Sequence, residues 1–115
     1  MSKNIKWVLG HLGGAIPYLA ERLDRGYEAF DDCRKNISKP PTDYLKQIYF
    51  DTVVFTPHQL VELVRLFGAD RIVMGTDYPF DMADYDPVGH VLSAGFDEAT
   101  TAAIVGGNAR RLLGL

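Results

Sequence analysis

His11, Asp51 and Asp77 are the side chains whose type and surroundings could do chemistry. Each sits at the end of a short apolar run. IKWVLG (5–10) precedes His11, IYFDT (48–52) carries Asp51, and RIVMGT (71–76) leads into Asp77. An imidazole titrates near neutrality, so His11 can give and take a proton. A carboxylate delivered where a buried strand ends is costly unless a metal, a cation or a hydrogen-bond cradle compensates it. Asp77 is therefore a candidate ligand, with turn formation as the bland alternative. Asp51 reads first as a structural group bound to loop backbone near its strand end, with catalysis as the minor reading.

The elements that must position these groups follow from pattern. The three apolar runs suit parallel strands buried on both faces. Gly13 and Gly14 after the first allow a sharp turn. Pro17 fits the first turn of a following helix, whose apolar face includes Leu19 and Leu23 and which could run on to Phe30 and Cys33. Pro40-Pro41 breaks it, and Thr42 could cap a short turn. Thr56-Pro57 starts a helix with Leu60, Leu63, Val64 and Phe67 at helical spacing, and Gly68 stops it. The tail predicts a helix over 87–93, a helix capped by Asp97, and a last helix with Asn108 at its N-cap. Strand and helix alternate, which implies parallel strands and right-handed crossovers. Parallel strands bring His11, Asp51 and Asp77 to one side of the sheet.

Composition bounds the rest. A chain of 115 residues makes one domain at most, and its hydrophobic content of 47% predicts folding. A net charge of −3 without a basic run argues against nucleic acid or an acidic membrane as partner. One cysteine, Cys33, excludes an internal disulfide and a cysteine-rich zinc cluster. The amino-terminal stretch has no long apolar core, so neither a leader nor a membrane span is read there, and a cytoplasmic location is expected. His58 and His90 read as ordinary helix residues, and Trp7 with the other aromatic residues reads as core.

HLGG followed by IPYLAERLD, then YFDT, FGADRIVMGTDYPF and GNARRLLGL together resemble the carboxy-terminal part of the amidohydrolase-related, metal-dependent decarboxylases. The likeness runs from Ile5 to Leu115 and is specific to the family, not to one substrate. Aminocarboxymuconate-semialdehyde and resorcylate decarboxylases are the members it points to. The resemblance implies an α/β chain forming part of a TIM (β/α)8 barrel, the last three βα units (strands 6 to 8) with carboxy-terminal helices, over residues 1–115. It implies that His11 acts catalytically in proton transfer, that Asp77 is a metal ligand, and that Arg22 reaches a substrate carboxylate, in some members that of the neighbouring subunit. The implied cofactor is a divalent metal, zinc first.

One departure matters. Family members also carry an HxH pair on the first strand and a histidine on the fifth, and this sequence has neither. A whole barrel takes roughly 250 residues. The expectation is a fragment, inactive by itself, of an enzyme that removes CO2 from a carboxylated aromatic or unsaturated acid. A metal-dependent hydrolase of the same superfamily is the alternative within that chemistry. The rival class is a non-catalytic remnant. A three-strand sheet exposes two edges and an apolar face, which predicts a homo-oligomer, or a separate chain supplying the missing strands.

Overall fold

The structure, a computed structural model, describes residues 4–115. Residues 1–3 lie outside the described residues, and with them the start of the stretch read above as carrying no leader. Three strands form one parallel sheet in the order of the chain: β1 (Val8–Leu9), β2 (Tyr49–Asp51) and β3 (Ile72–Val73). Val8 pairs with Tyr49 and Leu9 with Phe50, while Phe50 pairs with Ile72 and Asp51 with Val73. The ladder thus advances one residue along β2 between its two neighbours. That stagger confines β1 and β3 to two residues each, fewer than the apolar runs predict, and Arg71 belongs to a 3-10 turn (Ala69–Arg71) ahead of β3.

Helices follow each strand: α1 (Ala20–Ala29), α2 (Pro41–Leu45) and α3 (Pro57–Phe67), then α4 (Pro87–Ser93), α5 (Glu98–Ala102) and α6 (Asn108–Leu113). The expected starts of α3 and α4 and the stop at Gly68 are found, the last with the Gly68 N–H donating to Val64 O at 2.8 Å. Asp97 caps α5, its Oδ1 accepting from Thr100 N at 2.7 Å. Pro17 lies ahead of α1 in a run of turns (14–19), and α1 ends at Ala29 before a 3-10 turn over Asp31–Arg34. Thr42 is inside α2 and is itself the donor: its N–H and Oγ1 both donate to Asp24 of α1, at 3.0 and 2.6 Å.

Asn108 is not an N-cap. Ala103–Gly107 winds as a π-helix and runs without a break into α6, so Asn108 has helical neighbours on both sides. Its side chain, fully buried, turns to the sheet instead. Nδ2 donates to Ala69 O and Ile72 O, both at 2.6 Å, and Oδ1 accepts from Arg111 Nη2 at 2.8 Å. Met74 N donates to Ile104 O at 3.1 Å. Ile72 and Met74 alternate with Val73, which faces β2, so these two bonds satisfy the far side of β3. The sheet therefore has one sealed edge, at β3, and among the described residues no strand pairs with its other edge, at β1.

The core lies under the helices. Phe50, Leu60, Ile72, Val91 and Ile104 are wholly buried, with Leu63 and Phe67 nearly so, and Phe50 stacks on Phe67 with ring centroids 4.7 Å apart. β2 and β3 are buried as predicted, but β1 is not: Trp7 and Val8 are 47% and 46% exposed. Trp7, Tyr18, Phe30, Phe55, Tyr78, Phe80 and Tyr85 are all exposed, so the aromatic residues are not mainly core. The accessible surface is 7695 Å², against about 6,300 Å² for a compact monomer of this mass. The radius of gyration is 15.2 Å, against about 13 Å for a compact domain of this length. Part of the excess has a structural cause, the exposed β1 side of the sheet, where Trp7 and Val8 stand out. No helix among the described residues is long and apolar enough to cross a membrane.

Candidate functional site

Parallel pairing delivers all three strand ends to one rim. β1 ends at Leu9, and after Gly10 the chain makes a left-handed turn: His11, Leu12 and Gly13 have φ of 54°, 57° and 80°. Gly13 N donates to Gly10 O at 3.0 Å and Gly14 N to His11 O at 2.9 Å. A left-handed residue with a side chain costs about 1–2 kcal/mol, so His11 and Leu12 need compensation. Gly13 is needed for space as well as φ, since a Cβ there would stand 2.7 and 2.8 Å from the Phe50 ring.

Across the rim Asp77 also has a positive φ, 61°. Its loop is pinned by Asp84 N donating to Thr76 O at 2.7 Å, Phe80 N to Asp77 O at 3.0 Å and Tyr78 N to Thr76 Oγ1 at 3.1 Å. The Tyr78–Pro79 peptide is cis. The two turns aim their side chains at each other. His11 Nε2 lies 3.4 Å from Asp77 Oδ1, a long contact that leaves room to tighten. The imidazole is 69% exposed and the carboxylate 24%. Both face a cleft of about 590 Å³ whose other walls include Val53, Val54, Phe55, Gln59 and Met82. The cleft joins one proton carrier and one carboxylate to a mostly apolar wall.

Asp51 stands between them on β2 and does not line the cleft. Its Oδ1 accepts from Leu12 N at 2.9 Å and from Val53 N at 3.0 Å. Its structural reading fits these contacts. Thr52, fully buried, accepts from Gly75 N at 3.2 Å through Oγ1. Periodicity gave no sign of Thr52, nor of Phe55 and Met82 on the cleft wall. Arg22 is exposed on α1 and does not line the cleft. His58 is exposed at the start of α3, and His90 is half-buried in α4 with its Nε2 buried and unbonded. A second hollow of about 350 Å³ lies between residues 12–21 and α3. There the Arg65 side chain hydrogen-bonds Glu62, holding its carboxyl below the usual range.

The donor set does not make a metal site. Among the described residues no group of three or more His, Cys, Asp or Glu side chains could hold a metal ion. Catalytic zinc sites ordinarily have three protein ligands. Asp77 and His11 fall short of that.

A parallel βα sheet with ionisable groups on the rim at the strand ends is consistent with a sector of an α/β barrel. The sequence matches the amidohydrolase family over residues 3–115, and the chain belongs to that family. It is 33% identical over 97% of its length to the 2-amino-3-carboxymuconate-6-semialdehyde decarboxylase of Dictyostelium discoideum, and covers 32% of that protein. In structure it is similar to a dihydroxybenzoic acid decarboxylase from a Polaromonas species, with bound manganese and the inhibitor 2-nitroresorcinol. The TM-score is 0.82 at 29% identity, over 96% of this chain and 34% of the other. It is equally similar to a 2,6-dihydroxybenzoate decarboxylase in complex with 2,6-dihydroxybenzoate, with a TM-score of 0.82, 30% identity and coverage of 96% and 35%. The chain spans about a third of the length of these relatives. Its three-strand sheet is consistent with part of their barrel, and the Polaromonas relative holds a divalent metal, manganese.

Proposed function

We propose that this chain is the part of a non-oxidative decarboxylase that holds the proton-transfer rim, equivalent to strands 6 to 8 of a (β/α)8 barrel with its carboxy-terminal helices. All 115 residues belong to that one domain. The substrate class is a carboxylated aromatic or unsaturated acid. His11 hands the proton on Nε2 to the ring or chain carbon. The carbon–carboxylate bond breaks, its electron pair takes that proton, and CO2 leaves. Asp77 faces His11, orients the imidazole, and is the carboxylate this chain contributes to a divalent cation, zinc or, as in the Polaromonas relative, manganese. Arg22 reaches outward to a substrate carboxylate in a neighbouring subunit.

The observation that carries the reading is the 3.4 Å approach of His11 to Asp77 in a chain 33% identical to a decarboxylase. Because the cation's donor set is incomplete here, the chain by itself is inactive, and the remaining strands come from elsewhere in a longer protein or from a partner chain. They add at β1, where Trp7 and Val8 are exposed, and closure of the barrel against β3 would displace the bonds that Ile104 and Asn108 make there; without them, copies associate through the β1 edge. The test is a chimera that joins these residues to the amino-terminal two thirds of the Polaromonas relative, assayed for CO2 release from 2,6-dihydroxybenzoate with manganese. The chimera is expected to turn over, the chain alone not, and His11→Ala in the chimera should lower turnover about 10²–10⁴-fold. An active His11→Ala chimera refutes the role of His11, and turnover by the chain alone refutes the need for further strands.

A further inference from the structure

We infer that Asp51 is a positioning residue for the His11–Asp77 pair, a role that gains catalytic meaning only if the decarboxylase reading above holds. The end of β2 is where the two halves of the pair are tied together. Asp51 Oδ1 accepts from Leu12 N at 2.9 Å and from Val53 N at 3.0 Å, so one oxygen joins the turn that carries His11 to the loop that walls the cleft. The next residue, Thr52, receives Gly75 N at 3.2 Å and so fixes the strand end two residues before Asp77.

The space beside Asp51 is tight on the Gly75 side, while at Gly10 a side chain would make only an ordinary contact. A Cβ at Gly10 would lie 3.6 Å from Asp51 Oδ2. A Cβ at Gly75 would lie 3.5 Å from the same oxygen and only 3.2 Å from Asp51 Cβ. The carboxylate thus sits between two strand ends that lack side chains. It meets the consecutive left-handed residues His11 and Leu12, the place on the rim most in need of an external tie. An acceptor on the Leu12 N–H holds that turn, and with it the direction in which the imidazole leaves the backbone.

The chain is small enough for isotope-labelled NMR, which reads this geometry without turnover. In the unmutated protein the Leu12 amide should exchange slowly for a rim residue, a strong intraresidue HN–Hα NOE should report its positive φ, and the His11 ring should show an NOE to the Asp77 side chain. Asp51→Ala should raise Leu12 amide exchange at least tenfold and abolish that NOE, with the methyl signals of Leu60, Leu63 and Ile104 unmoved. Asp51→Asn should behave as the parent, because its Oδ1 accepts from the same two N–H groups. An Asp51 that only stabilises the fold would lower the melting temperature of Asp51→Ala and leave the NOE in place, which overturns the proposal. So does an Asp51→Asn that behaves as Asp51→Ala. Free exchange of Leu12 in the unmutated chain overturns it too, even if Asp51→Ala fails to fold. If the NMR outcomes hold while the His11→Ala chimera stays active, the functional reading alone has failed.

Discussion

Replacing Asn108 with alanine tests the tie between the carboxy-terminal helices and the strand that leads to Asp77. The side chain is fully buried and makes three hydrogen bonds of 2.6 to 2.8 Å. Asn108→Ala leaves the carbonyl of Ile72, itself a fully buried residue, with no donor on that side. A buried polar group left unsatisfied costs about 1–3 kcal/mol. The Ala69 carbonyl is only partly buried and can turn to water, which adds less. The loss should come to about 2–4 kcal/mol, a large share of the roughly 5–15 kcal/mol that holds a domain folded. With a urea slope of about 1–3 kcal/mol per molar, the midpoint should fall by about 1–2 M. Trp7 fluorescence and far-UV circular dichroism, followed together in urea, measure it. Asn108→Asp should be worse than alanine, because it sets a carboxylate oxygen against two carbonyl oxygens. A loss below about 0.5 kcal/mol for alanine, or an aspartate variant as stable as the parent, would refute the reasoning.

Two further outcomes follow from single positions. Gly13→Ala should cost about 2–4 kcal/mol in the same titration, since its Cβ would press on a Phe50 ring already stacked on Phe67 and its φ is 80°. An alanine variant of parental stability would mean that the turn at His11 is looser than described. Thr100 N–H, then the Thr100 hydroxyl, hold the Asp97 carboxyl below its ordinary value of 3.8. The cap on α5 should therefore be complete above that pH and weaken as pH falls through the lower folded pKa. Asp97→Asn, which caps without titrating, should remove that acid-dependent change in the Thr100 amide signal, and its persistence would assign the change to another group.

Much of the architecture was legible because it depends on local punctuation. Thr56-Pro57, Asp97 and Gly68 mark helix ends by chemistry that acts over a few residues, and all three mark them in the structure. The rim was legible for a similar reason: alternating strands and helices force parallel strands, and parallel strands gather His11, Asp51 and Asp77 on one side. Asn108 was misread because its residue type fits a cap, while its partners, Ala69 and Ile72, lie 39 and 36 residues away. Trp7 was misread because apolar character in a short run does not say whether a neighbouring strand will cover it. The left-handed turn at His11 was only half visible. Two glycines announce a bend, but nothing local says that His11 and Leu12 will share the conformation, because the carboxylate that holds it comes from β2.

The seal that Ile104 and Asn108 form over β3 gives the sheet the chemistry of a monofunctional monomer. A strand with two reactive sides propagates; one whose second side is blocked can only terminate. Two copies meeting through β1 would be related by a two-fold axis, would run antiparallel at the joint, and would present sealed sides at both extremities. Pairing through the edges of this sheet would then stop at a pair, and a ribbon of stacked chains would have no site from which to grow.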